Sequence, residues 1–189
     1  MFTGHLGHFV VGRFVAGRAP WRVRTCLLTV VFAGAIPLWG KQQAAPPAVP
    51  KFSELSNEDR TRLDQRRAVV EAAAKQRYGT PALTKTLTDL KVLQRLIDDK
   101  AFDRKQTYEL QSLGVAFGDV LASRLPLRWV MVTDESGTDP TLRFKDTTVQ
   151  INALTMISKR IERGEEVNLM ELLRITRRQL TRVSESGKL

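Results

Sequence analysis

The feature that most constrains this chain is a change in the spacing of its apolar residues, from helical to alternating and back again. Ser56 is placed to cap a helix, with Asn57, Glu58 and Asp59 in its first turn. Leu63, Val70, Ala73 and Ala74 follow at helical spacing, and Gly79 is the stop. Thr80-Pro81 opens a second helix carrying Leu83, Leu87, Leu90, Leu93, Leu96 and Ile97, running to about Asp99. Asp103 with Gln106 has the form of a capping box, and Leu110, Leu113, Phe117 and Leu121 stripe a third helix that ends before Pro126.

The period then shortens. Arg128 to Thr133 is apolar on both faces, as in a central strand. Glu135 to Pro140 has turn chemistry, and Leu142/Phe144 and Val149/Ile151 alternate with polar residues as half-buried strands. Asn152 opens a helix with Leu154, Met156, Ile157 and Ile161, closed by Gly164. Asn168 and Glu171 open the last, with Leu169, Leu172, Leu173, Thr176, Leu180 and Val183 on one side. The expectation is one α+β domain over 53–184: three N-terminal helices, a short three-stranded antiparallel meander and two C-terminal helices. Residues 185–189 form a tail.

Charge is unevenly placed. The chain of 189 residues carries a formal charge of +10. Arg13, Arg18, Arg22, Arg24 and Lys41 precede any acid, the first being Glu54. Between Arg24 and Lys41 lies an uncharged apolar stretch, shorter than the roughly 20 residues a membrane-spanning helix needs. Basic residues ahead of a short apolar run and small residues at Ala33-Gly34-Ala35 predict a signal peptide or an N-terminal membrane anchor over 1–40. Pro46, Pro47 and Pro50 make 41–52 an extended Pro/Ala-rich linker. These features place the body outside the inner membrane, exported and periplasmic or tethered by an uncleaved N-terminal segment.

Cys26, His5 and His8 all lie in that leading segment. The body lacks both residue types, which closes Ser-His-Asp and Cys-His nucleophilic sites and the usual His/Cys zinc sites. No cofactor and no metal is expected. Asp134, Glu135 and Asp139 cluster around Gly137 but lack the ligand alternation of a calcium loop. Lys159, Arg160, Arg174 and Arg178 mark two basic helices, with 174, 178 and 182 in one helical line. Acids are interspersed and aromatics absent there, so nucleic acid is disfavoured and an acidic partner or anionic membrane surface fits better. Gly114 and Gly118, four apart, favour close packing of Trp129 or a neighbouring helix.

Several blocks resemble one bacterial family: Leu93–Asp99, Tyr108–Asp119, Arg128-Trp129-Val130 with Asp134–Pro140, and Leu154–Glu162. Over about residues 85–180 they resemble the domain of unknown function 3806. The resemblance implies a bacterial source and a small α+β domain, and it assigns no reaction, ligand or catalytic residue. The reading leans away from an enzyme, towards a non-enzymatic module that binds another envelope protein. Its partner-binding candidates are Trp129, Asp134, Glu135, Asp139, Lys159, Arg160, Arg174 and Arg178. The alternative is a carboxylate-dependent enzyme with Asp119, Asp134 or Glu162 meeting beside Trp129.

Overall fold

A computed structural model describes residues 50–80, 82–135 and 137–186. These belong to the unit Ala45–Leu189. The signal or anchor expectation for 1–40 lies outside the described residues, as do 187–189 of the tail. Among the described residues no helix is long and apolar enough to cross a membrane.

The mixed helix-and-sheet class is as expected, but the sheet has four antiparallel strands rather than three, in the order β1-β2-β3-β4. The additional strand is β1 (Lys51–Ser53), paired with β2 (Leu127–Asp134) so that Phe52 stands opposite Val132. Three residues beside a proline-rich stretch carry almost no alternation signal; their pairing comes from a partner some eighty positions away. β3 (Gly137–Phe144) forms a tight hairpin with β2, from Asp134 opposite Gly137 to Leu127 opposite Phe144. The expected turn over Glu135–Pro140 is therefore shorter, because Gly137 to Pro140 already lie in the strand. β4 (Gln150–Ile151) pairs only with Arg143 and Leu142.

Three helices separate β1 from β2. α1 (Asn57–Tyr78) begins at Ser56, whose hydroxyl accepts from the Asp59 amide while Asp59 reaches back to the Ser56 amide, and it ends at Gly79 with φ 64°. α2 (Asp89–Asp98) starts later than the apolar stripe suggests. Leu83 and Leu87 precede it, in a stretch where the Thr84, Thr86 and Thr88 hydroxyls bond one another at 2.7–2.9 Å. Buried Asp89 accepts from the Thr84 and Thr86 amides. Side-chain oxygens competing for backbone amides hold this stretch out of a helix. α3 (Thr107–Arg124) follows, and the Asp103/Gln106 interaction forms in the turn just before it, the Asp103 amide donating to Gln106 at 2.7 Å.

The expected single helix from Asn152 to Gly164 is instead two short ones, α4 (Ala153–Met156) and α5 (Ser158–Glu162). Arg160 accounts for the break. Its guanidinium donates to the Met156 carbonyl at 2.6 Å, while its amide goes to Ile157. α6 (Leu169–Glu185) starts as expected, with Asn168 accepting from the Glu171 amide.

α3 organises the rest. Its apolar stripe predicts one buried side, yet every residue from Ser112 to Leu121 is buried. It packs against α1, α2, α4, α5 and the inner face of β2. A helix buried all round needs room at its closest approaches, and glycine supplies it at a cost of about 1 kcal/mol each in propensity. A Cβ on Gly114 would strike the Ala153 and Leu154 carbonyl oxygens, and one on Gly118 would lie 2.5 Å from Trp129 Cζ2. Both the aromatic and the helix contact expected for these glycines are present. On the opposite sheet face Phe52 lies under Arg143 at 4.5 Å, and Val130, on the strand between them, is 1 % exposed.

Gly118→Ala is expected to destabilise the domain by about 2–3 kcal/mol through overpacking against a ring that cannot retreat. The check is urea unfolding, with a lower midpoint at an unchanged slope.

Candidate functional site

Leu63, Val70 and Ala74 bury one side of α1, and Arg67 stands in the same line. A charge on a buried stripe demands a partner. Arg67 finds it in Asp119 of α3, which is 7 % exposed. Arg67 Nε donates to Asp119 Oδ2 at 2.6 Å and Nη2 to Oδ1 at 2.8 Å, a two-pronged pair. The Trp129 indole N–H donates to Asp119 Oδ1 at 2.9 Å, and Arg67 Nη1 donates to Asp64 at 2.7 Å. Burial works to lower the Arg67 pKa; the hydrogen bond and charge of Asp119, with Asp64 behind them, outweigh it and leave it raised. One carboxylate thus ties α1, α3 and β2 together.

A cavity of about 10 Å³ adjoins this group, lined by Arg67, Glu71, Leu83, Lys85, Asp89, Ala116 and Asp119. That is room for about one water molecule and no substrate. Glu71 accepts from the Leu83 amide, and Asp89 caps its own loop. Asp134 and Glu162, the other carboxylates of the enzyme alternative, are not in this lining; Glu162 faces the Thr107 hydroxyl at 3.4 Å. Among the described residues no three of His, Cys, Asp and Glu are placed to hold a metal ion.

A larger concavity of about 260 Å³ opens where α1, the start of α3, the β2–β3 hairpin and α4 converge. Leu63, Met131 and Leu154, all buried, form its floor. Pro140, Thr138 and Asp139 line the hairpin side, and Asp59, Arg62, Gln65 and Arg66 the α1 side. Tyr108 closes one end, 45 % exposed, with the Arg66 guanidinium 4.4 Å over its ring and Arg66 Nη1 donating to its carbonyl. The groove exists because β4 is short. The Phe144 amide points outwards to Val149, so by strand alternation Pro140 presents the same edge, past the end of β4, with no N–H to offer. Asp59 is engaged by Ser56, whose hydrogen bonds hold its carboxyl below the usual range.

The sequence-derived candidates are dispersed. Asp139 lines the groove; Asp134 and Glu135 occupy the hairpin tip beyond it. Trp129 is half-buried in the core on Asp119 rather than in the groove. Lys159 is exposed on α5, and Arg160 is held by the Met156 carbonyl. Arg174 and Arg178 meet, both donating to Glu171 at 3.0 Å. Tyr108, Arg62, Arg66, Thr138 and Pro140 were not singled out by sequence. Their only signal is an aromatic in the first turn of α3, and that is faint. Arg67 had a clearer one, its place on the apolar stripe.

Residues 89–173 match the family model described as domain of unknown function DUF3806, confirming the resemblance read from the sequence blocks. The matched segment runs from α2 into α6. It holds Asp119, Trp129 and the hairpin wall of the groove but not Arg67 or the α1 wall. No curated protein matches the chain. A protein of Bacteroides thetaiotaomicron VPI-5482, solved at 1.50 Å, is similar in fold, with a TM-score of 0.61 and 15 % identity over 68 % of this chain. The similarity covers 47 % of that protein, so this chain spans about half of its length.

Removing one member of the buried pair leaves the other charged and short of its main partner, with only the Trp129 indole for Asp119 or the exposed Asp64 for Arg67. Asp119→Leu and Arg67→Met are each expected to cost about 3–5 kcal/mol, and the double variant less than their sum by at least about 2 kcal/mol. Denaturant unfolding of the four proteins in a double-mutant cycle measures this.

Proposed function

We propose that the DUF3806-type domain of this chain is a non-enzymatic protein-binding module of the bacterial cell envelope, taking a partner's side chains in the groove between α1, Tyr108 and the β2–β3 hairpin. The observation that carries the reading is the groove itself: an apolar floor of Leu63, Met131 and Leu154 under a rim of Arg62, Arg66, Asp139 and Tyr108. An apolar centre inside a polar rim, with an aromatic and arginines at the edge, is how contact surfaces concentrate affinity. The carboxylate on the α1 side of the groove supports binding over catalysis. Asp59 is committed to the helix cap with a lowered pKa, the reverse of what a general acid needs.

The compartment comes from the sequence. Basic residues, a short apolar run and a proline-rich tether argue for export across the inner membrane, with the body periplasmic or held at that membrane. The partner is then another envelope protein. The hairpin tip, Asp134 and Glu135, extends the contact beyond the groove, as loops held by rigid strands commonly do.

The test is photo-crosslinking in living cells. A crosslinker at Thr138 or Tyr108 is expected to capture one discrete partner, and one at Gln76, exposed near the far end of α1, is not. Arg66→Glu with Asp139→Arg should cut that product by about tenfold, corresponding to about 1.4 kcal/mol, with unchanged thermal unfolding. Equal capture at Gln76, or a product that survives both reversals, contradicts the reading.

A further inference from the structure

We propose that the outer face of α6 is a contact surface for anionic lipid headgroups, separate from the groove. Met170, Arg174, Arg178 and Arg182 occupy successive i,i+4 positions and form one row, with Ile175 and Arg177 on its two flanks. Met170 is 52 % exposed and Ile175 37 %, unusual for large apolar side chains on a helix whose other side is well buried. That other side is fixed. Leu169, Leu172, Thr176 and Leu180 are buried, and the Gln94 side chain bridges the Val167 carbonyl at 2.8 Å and the Leu169 amide at 2.9 Å. The row therefore points outwards as a built surface.

Its charge is partly spent and partly free. Arg174 and Arg178 share Glu171, whereas no ion pair among the described residues engages Arg177 or Arg182. Four guanidinia against Glu171 and Glu185 leave the face positive. Arginine stems lie along an interface while their heads reach phosphates, and exposed Met and Ile can enter the boundary between headgroups and acyl chains. The helix has no aromatic residue on which bases could stack, which disfavours nucleic acid. Exposed Met170 at the head of the row and Ile175 on its flank favour lipid over an acidic protein segment, which would use the charges alone. A chain sent to the envelope by its N-terminal segment meets such a surface.

The test uses the full chain with Cys26→Ser, a fluorophore on Thr181→Cys of α6, and a control fluorophore on Thr61→Cys of α1. The protein is mixed with phosphatidylcholine vesicles, with or without phosphatidylglycerol, that carry a headgroup quencher. Quenching at 181 is expected to exceed that at 61, to require phosphatidylglycerol, and to fade at high salt. Arg177→Gln with Arg182→Gln should raise the phosphatidylglycerol needed for half-quenching by about twenty-five-fold, about fivefold for each charge removed. Met170→Ser with Ile175→Ser should weaken it while leaving its salt dependence. Unchanged circular dichroism keeps each variant interpretable. Equal quenching at the two positions, quenching indifferent to phosphatidylglycerol, or binding of an acidic peptide or RNA to this face in place of lipid overturns the proposal. Loss of crosslinking in the groove leaves this result untouched, so the two readings fail separately.

Discussion

A carboxylate in the middle of a helix that is buried on every side has to be met by a cation and a hydrogen-bond donor, or the helix cannot sit there. Asp119 is that carboxylate, and Arg67 and Trp129 meet it with three hydrogen bonds of 2.6–2.9 Å. The three residues come from α1, α3 and β2, elements that meet on no other charged group of comparable burial among the described residues. Hydrophobic contact holds these elements together without specifying their register; the geometry of a two-pronged arginine pair does specify it. Gly118, next to Asp119, removes the Cβ that would push the Trp129 ring away, so the donor reaches its acceptor. The Asp and the Gly are one device.

From that placement the rest follows. With α3 fixed in the centre, α1 crosses one side of it and the β2–β3 hairpin projects past the other. β4 pairs with only two residues of β3, and Pro140 ends the edge that a longer strand would have covered. The space left over is the groove. Its floor residues, Leu63, Met131 and Leu154, are buried by the core yet reachable from the opening. The basic face of α6 lies on a separate element, docked through α2 by Gln94, so the domain carries two surfaces of different chemistry.

Much of the fold was legible because its punctuation is local. Ser56, Gly79 and Asn168 set helix ends through hydrogen bonds and φ values within a few residues, and the sequence shows those directly. β1 was not legible, since three residues gain their identity only from β2. The delayed start of α2 and the break at Ile157 come from side chains that take backbone partners: Asp89 and the threonines in one case, Arg160 in the other. An apolar stripe cannot register that competition. The site was harder still. Leu63, Met131 and Leu154 read as core because they are core, and the opening beside them depends on how short β4 is. Arg67 was readable in principle, as the one charge on the buried line of α1.

The central claim is that α1, α3 and β2 form one cooperative unit joined through Asp119. Native-state hydrogen exchange measures this most directly. If the claim holds, the slowest amides of all three elements open with a single free energy, and Asp119→Asn lowers that value equally in each. If α1 instead opens alone at a lower free energy, and the substitution leaves α3 and β2 unchanged, the carboxylate is a local contact and the account is wrong.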